Sequence, residues 1–248
     1  MIRIALLVVL GLFPQWAAAA ECPGNPDALG TERVLAVDGA ATPRVGRKSF
    51  PETLPLGPKE VVLTFDDGPN PGTTERVLDA LKRECVRATF FLIGRHAESH
   101  PELVRRTYAE GHTIGNHTYS HPWLSQLMPA RAQAEIERGF SAIQAALGPS
   151  HKMAQFFRFP GFTSTRALLD NLEQRHIAVF GADLWASDWN PMTPDQTLDL
   201  TLRRLTATGG GILLFHDTQP HTAAMLPGFL REMKRRGFNI VHVVPAPH

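Results

Sequence analysis

Val61-Val62-Leu63-Thr64-Phe65-Asp66-Asp67-Gly68-Pro69 runs an apolar segment into two adjacent carboxylates and a Gly-Pro turn. The apolar part is short, rich in β-branched and aromatic residues and bounded by a turn, which describes a strand. Its apolar residues are continuous, as in a strand covered on both faces. Neighbouring carboxylates disfavour each other's ionised form, and a cation beside them relieves that repulsion. The pair therefore suggests a metal site, a general base or both, although Asp-Asp-Gly is also good turn chemistry. Roughly fifty residues on stands His117-Thr118-Tyr119-Ser120-His121-Pro122. Two imidazoles and a carboxylate suit a catalytic zinc with one position left open to water.

The same strand pattern recurs. Strand-like runs lie at 61–65, 88–93, 112–116, 155–159, 177–182, 211–215 and 239–243. Between them, Val77, Leu78, Leu81 and Cys85 repeat at helical spacing, as do Ile136, Phe140, Ile143 and Leu147. Leu198, Leu202 and Leu205 form a third such face, and Met225, Phe229 and Met233 a fourth. Thr73 and Pro194 stand where helices start, and Gly111, Gly148 and Gly237 where they end. Strands alternating with helices predict parallel βαβ units, in an open sheet or a closed barrel. Polar residues follow the strands: Asp66 and Asp67, His117 and His121, Arg158, Asp183 and Asp188, His216 and Asp217. C-terminal strand ends of parallel βα units share one side, so these residues are expected to converge there.

Composition bounds the rest. The 248 residues carry a net charge of +1, with no nucleic-acid or membrane-surface footprint. The chain opens on a charge, a short apolar stretch and Ala17-Ala18-Ala19-Ala20, the pattern of a secretory signal peptide over residues 1–20. The protein is accordingly expected to be exported, periplasmic or secreted, with no membrane insertion once the signal is cleaved. Residues 21–59 are rich in Pro and Gly and read as an extended arm, and residues 60–248 as one domain. Cys22 and Cys85 are the two cysteines, and in an exported protein an even count suggests one disulfide.

Single residues carry further expectations. Side chains of Asp66 and Asp67 point in different directions, so one can bind metal while the other faces a substrate. His117 and His121 share a face if helical, but Pro122 disfavours helical geometry at His121. Arg158, inside Phe156-Phe157-Arg158-Phe159-Pro160-Gly161, needs an anionic partner such as Asp66 or Asp188 unless it faces outward. His216 beside a carboxylate serves as a general acid, or else is a structural histidine. His112, His151, His176 and His221 read as surface or capping residues, and His96 and His100 as helix-flanking. Trp185 and Trp189, near Asp188, read as core or as a wall facing the substrate.

These motifs, in order over residues 60–244, resemble the polysaccharide deacetylases of carbohydrate esterase family 4, the NodB-homology domain. Thr64–Pro69 matches the first motif and His117–Pro122 the second. Arg158-Phe159-Pro160-Gly161 resembles the third, Asp188-Trp189 ends the fourth, and Leu214-Phe215-His216 matches the fifth. The resemblance implies an α/β fold, a distorted (β/α)7-type barrel. It implies a divalent metal on Asp67, His117 and His121, most often zinc, with Co2+ or Mn2+ as alternatives. Asp66 is then the base, oriented by Arg158, and His216 the acid that protonates the departing amine, tuned by Asp188. Leu214 and Trp189 line the acetyl pocket, and a backbone N–H near Gly161 holds the oxyanion. The implied activity is removal of N-acetyl groups from amino sugars of a glycan. An O-acetyl esterase, a small cyclic amide hydrolase and a non-catalytic metal- or glycan-binding protein are the alternatives. Two departures stand out. The third motif has Phe159 and Gly161. The fourth motif's usual acid is replaced by Trp185, leaving open whether Asp183 substitutes for it. In such a barrel a Cys22–Cys85 bond would pin the N-terminus to the face opposite the site.

Overall fold

The computed structural model describes residues 22–247, so the signal-peptide segment 1–20 lies outside the described residues. After two arm strands, β1 (Arg33–Val37) and β2 (Arg44–Val45), the chain alternates strands and helices. In order they are β3 (Glu60–Asp66), α1 (Thr74–Arg83), β4 (Thr89–Leu92), α2 (Gly94–Ser99), α3 (Pro101–Ala109) and β5 (Thr113–Asn116). Then come α4 (Pro129–Leu147), β6 (Phe156–Phe157), α5 (Arg166–Gln174), β7 (Ala178–Phe180) and β8 (Leu184–Trp185). The chain ends with α6 (Pro194–Thr208), β9 (Gly211–His216), α7 (Pro220–Arg235) and β10 (Asn239–Pro245). Every expected strand is present, and the four helical faces read from spacing fall in α1, α4, α6 and α7. Pro194 opens α6 behind a capping box made by Thr193 and Gln196.

All pairings are parallel, and they run β8–β9–β3–β4–β5–β6–β7. β7 and β8 belong to one short stretch of chain, which pairs with β6 at its start and β9 at its end. The sheet therefore curls back on itself as a distorted barrel. β10 pairs with only the first two residues of β3. The expected strand 177–182 breaks after Phe180. Ala178 and Phe180 pack in the inner core, whereas Leu184 packs against the helices, so the alternation slips across 181–183. That slip turns Trp185 toward the strand ends.

Alternation along the strands positions the site. Val61, Leu63 and Phe65 pack with the helices, and Val62 faces the barrel interior with Ile212 and Phe91. By parity Thr64 and Asp66 share the interior face of β3, and Leu214 and His216 that of β9. Asp66 and His216 are register partners at the strand ends. Gly115 is required on β5, because a Cβ there would stand 2.8 Å from the Phe91 ring.

The expectation of a plain arm laid over the domain is corrected. β1 extends the sheet beside β10, and β2 beside β7. β1 carries an apolar run, Val34–Val37, with no Pro or Gly inside it, so its signal was present within a Pro- and Gly-rich segment, and β2 is too short for a periodic pattern to show. The arm's start is tied to the end of α1 by the Cys22–Cys85 disulfide. Leu29 N–H donates to Glu84 Oε2 at 2.9 Å and Gly30 N–H to Glu84 O at 2.8 Å. Cys85 precedes β4, so this clamp lies at the N-terminal strand ends, opposite the C-terminal ends that carry Asp66 and His216. A Cys22→Ser/Cys85→Ser protein is expected to lose about 2–4 kcal/mol of stability at unchanged activity. Urea unfolding beside an acetate-release assay checks this. Loss of activity at full stability would refute it.

His112 is not a surface residue. It is buried at the base of β5, accepting from Ala88 N–H through Nδ1 at 3.1 Å. Nearby, Thr113 donates to Val243 O at 2.6 Å, so His242 Nε2 must be the donor in its 2.9 Å bond to Thr113 Oγ1. Burial pushes His112 down to about 3, helped by the positive fields of His242, Arg87 and Arg106. Burial and Arg87 push His242 down to about 4. Below pH ~6.5 the unfolded chain binds protons that the folded chain refuses. Stability is therefore complete above that pH and falls toward pH 4, by up to about 1.4 kcal/mol per pH unit for each imidazole. His112→Asn retains an acceptor for Ala88 and is expected to flatten the acid limb of a Tm–pH curve. An unchanged slope would count against His112 as its source.

Candidate active site

Side chains from the ends of β3, β5, β6, β8 and β9 meet at one mouth of the barrel. Asp67 follows β3 with a left-handed φ of 77°. Its N–H donates to Phe91 O at 3.2 Å, and its carbonyl accepts from His96 Nδ1 at 2.8 Å. The Asp67 carboxylate lies between His117 and His121, while Asp66 approaches His117 alone. His117 and His121 do not lie on a helix. Thr118 and His121 are also left-handed, and Thr118 Oγ1 accepts from His121 N–H at 3.0 Å. A tight loop thus brings the two rings to 5.0 Å between centroids.

Asp67, His117 and His121 form a donor set fit for a divalent cation. Asp67 Oδ1 lies 3.5 Å from His117 Nε2 and 3.3 Å from His121 Nε2. It is buried with no hydrogen-bond partner, an orphaned acceptor that an ion would satisfy. His117 Nδ1 donates to Arg158 O at 2.7 Å, which leaves the Nε2 lone pair facing Asp67. Burial pushes His117 down to about 3, so the ring stays neutral as a ligand must.

Asp66 and Arg158 are a buried pair beside this set. Arg158 Nη1 donates to Asp66 Oδ1 at 2.7 Å and to Thr64 Oγ1 at 2.8 Å. Its Nε donates to Phe180 O and its Nη2 to Gly181 O, and the guanidinium lies 4.3 Å over the Phe91 ring. The outward-facing alternative for Arg158 is thereby excluded. Burial pushes the Asp66 carboxyl up, and Arg158 pulls it back toward the ionised form. Asp66 Oδ2 remains 3.7 Å from His117 Nε2, on the side of the donor set.

His216 stands beside Asp66 on the adjacent strand, with Nε2 3.9 Å from Asp67 Oδ2. Its Nδ1 pairs with Asp188 Oδ1 at 2.8 Å, and its own N–H donates to Asp188 Oδ2 at 2.7 Å. Burial opposes the charged ring, but the Asp188 bond and charge, with Asp67 and Asp66 beyond, raise it to about 9. The Asp188 bond thus favours the protonated ring, with Nε2 turned toward Asp67.

Several supporting groups escaped the sequence reading. His96 holds the Asp67 carbonyl, and His221 Nε2 bonds Asp188 O at 2.9 Å. Thr222 donates to Asp188 Oδ2 at 2.7 Å. Neither histidine is the bland flanking or surface residue expected, and neither has a local pattern that would have revealed its partner. Asp217 is fully buried beneath the Gly68 turn, where a Cβ at Gly68 would stand 2.2 Å from its Oδ2. Burial pushes Asp217 up to about 7, and Thr74 Oγ1 donates to it at 2.6 Å. Unlike the two histidines, Asp217 was already placed at this strand end by its position directly after His216.

Asp183 does not stand in for the acid missing at Trp185. It accepts from Arg47 N–H, Thr53 Oγ1 and Ile212 N–H, and so clips the arm to β9 away from the donor set. Trp185 instead joins an aromatic rim, stacked on Phe162 at 6.0 Å and edge-on to Trp189 at 6.0 Å. Trp189, 49 % exposed, stands edge-on to His216 at 5.8 Å, and Leu214 lies one interior position before His216. Gly161 is left-handed at φ 56°, and a Cβ there would meet Trp123 Nε1 at 3.0 Å. Trp123 is 54 % exposed.

Known proteins share this arrangement of chain. Residues 54–179 match the family model described as polysaccharide deacetylase. A chitooligosaccharide deacetylase of Bradyrhizobium sp. (strain ANU 289) is 34% identical over 206 residues, covering 77% of this chain and 92% of the relative. A peptidoglycan deacetylase of Bdellovibrio bacteriovorus superposes with a TM-score of 0.78 at 32% identity, over 87% of this chain and 59% of that one. A family 4 carbohydrate esterase of Streptomyces lividans, solved with acetate, gives 0.63 at 32% identity, over 74% of this chain and 91% of that one. The chain belongs to the polysaccharide deacetylase family.

Proposed function

We propose that this protein is an exported, metal-dependent hydrolase that removes N-acetyl groups from amino-sugar residues of a glycan and releases acetate. Residues 1–20 are its signal peptide, and Asp67, His117 and His121 hold its metal, zinc by their donor chemistry. One observation carries the reading. An ionisable carboxylate and an imidazole inclined to hold a proton, each locked by its own buried partner, stand side by side next to the donor set. Binding alone needs neither a base nor an acid, which argues against a non-catalytic scaffold. Among the described residues no helix is long and apolar enough to cross a membrane.

The chemistry follows from the residues. A divalent ion at such a site polarises a carbonyl and acidifies water. Asp66 Oδ2 takes a proton from the water that attacks the acetyl carbon, while Arg158 keeps its other oxygen occupied and its plane fixed. A backbone N–H at Gly161 supports the developing oxyanion. His216 Nε2 then gives its proton to the departing nitrogen as the C–N bond breaks, yielding acetate and a free amine. An amine is a poor leaving group, so an acid held protonated by Asp188 favours an amide substrate over an ester. Leu214 and Trp189 enclose the acetyl methyl group.

Acetate release by the mature, zinc-loaded protein tests the proposal on chito-oligosaccharides, peptidoglycan fragments and acetylxylan. Release from the N-acetylated glycans, abolished by chelation and restored by zinc, is the expected result. Release from acetylxylan alone would transfer the reading to an esterase. Release indifferent to chelation would remove the metal.

A further inference from the structure

We infer that Glu135, on α4, is a positioning residue for His121, and that the affinity of the donor set for its ion depends on this carboxylate although it lies outside the set. The inference rests on the reading of Asp67, His117 and His121 as metal ligands. The other two imidazoles of the site are aimed by a bond to the ring: His117 Nδ1 by Arg158 O at 2.7 Å, and His216 Nδ1 by Asp188 Oδ1 at 2.8 Å. His121 is the exception. Its Nε2 lies 3.3 Å from Asp67 Oδ1, its side chain is 33% exposed, and among the described residues no hydrogen bond holds its Nδ1. The direction of that ring is therefore set by the backbone that carries it. This backbone is left-handed at φ 64°, a conformation that a residue other than glycine keeps only under restraint from its surroundings.

That restraint comes from α4. The start of the loop is held by main-chain bonds: Gly94 N–H donates to Thr118 O at 2.9 Å, Arg95 N–H to Tyr119 O at 3.0 Å, and Tyr119 N–H to Glu135 O at 3.0 Å. Beyond Tyr119 this support stops. Pro122 has no N–H to give, and His121 N–H bonds only within the loop, to Thr118 Oγ1. Ser120 carries the remaining tie. Its N–H donates to Glu135 Oε2 at 2.8 Å and its hydroxyl to Glu135 Oε1 at 2.9 Å. Both carboxylate oxygens are thus spent on the residue next to His121, and hydrogen bonds to an ionised acceptor are stronger than neutral ones. The nearest cation along the helix does not compete for Glu135, because Arg138 lies 3.6 Å over the Tyr119 ring. Helix and loop meet closely enough for this clamp because of Gly139, where a Cβ would stand 2.8 Å from the Thr118 carbonyl carbon. Without the carboxylate, Ser120 to Pro122 lose their only side-chain tie to α4, and the His121 ring is free to swing away from Asp67.

Calorimetric titration of the metal-free protein with zinc alone tests this. Loss of an outer partner that orients a ligand lowers metal affinity about 10–100-fold, and Glu135→Ala is expected to weaken zinc binding within that range. Glu135→Gln is expected to lose less, because its one amide oxygen still accepts from Ser120. The effect is expected to disappear where its target is missing: in a His121→Ala background, Glu135→Ala changes zinc affinity by less than about twofold. Unchanged affinity in Glu135→Ala, or the same loss with and without His121, would overturn the inference, the second result making Glu135 a source of charge or of general stability. No zinc bound by the wild-type protein would instead sink the metal reading. Hydrogen exchange of the metal-free protein then decides the positioning separately. Faster exchange at the Ser120 and His121 amides of Glu135→Ala, with β5 unchanged, supports it, and wild-type rates at both amides overturn it.

Discussion

Asp66→Asn is expected to lower kcat for acetate release by about 10²–10⁴-fold, the usual contribution of a positioned base. The substitution is nearly isosteric. The new amide retains an oxygen for Arg158 Nη1, which lies 2.7 Å from Asp66 Oδ1 in the native site, but its other end cannot accept a proton from water. Asp66 is not part of the Asp67-His117-His121 set, so zinc still binds. Affinity for the ion is expected to weaken only modestly, because one nearby negative charge is lost. Steady-state kinetics beside metal stoichiometry separates the two effects. A kcat within tenfold of the wild type would place the base elsewhere, and loss of zinc under saturating conditions would recast Asp66 as a ligand.

Arg158→Met carries the second large effect, chiefly on stability. Arg158 is the largest fully buried side chain, and its guanidinium is committed to Asp66, Thr64, Phe180 and Gly181. Removing one partner of a buried ion pair strands the other, at about 3–5 kcal/mol. Burial then acts on the Asp66 carboxyl without its counter-charge, so its pKa rises further. The base is protonated over a wider range, and the acid limb of the pH–rate profile moves to higher pH. Urea unfolding and a pH profile of kcat/KM read the two consequences. Adding Asp66→Asn to Arg158→Met removes the stranded charge, so the double variant is expected to recover part of the stability, a positive coupling in a mutant cycle. Additive losses would show that the two groups act independently.

Much of the site was legible because its residues directly follow apolar runs. Val61–Phe65 and Gly211–Phe215 are each a strand by composition, and Asp66, Asp67 and His216 follow without a gap. Where the local rule is weak, the reading failed. His112, His221 and His96 look alike in sequence. One is entombed at the barrel base, one holds the Asp188 carbonyl, and one holds the Asp67 carbonyl. Asp183 sat at a plausible distance from the missing acid, yet the alternation slip between β7 and β8 directs it to the arm. The arm's own strands, one an apolar run of five residues and one of only two, form because β10 and β7 offer unpaired edges, a tertiary circumstance that local composition does not report.

The sequence by itself determined the strand–helix alternation, the side of the barrel on which the chemistry gathers, and the residue types able to perform it. Each of these follows from local periodicity and from the rule that parallel βα units expose their C-terminal strand ends together. Only the tertiary structure decided that Asp67 meets both imidazoles, that Asp66 is tied to Arg158, and which cation lies over Trp185. Those choices depend on a left-handed Asp67, a buried guanidinium with four partners and a turn pinned across the sheet. They are set by contacts between residues far apart in the chain, which no local pattern encodes.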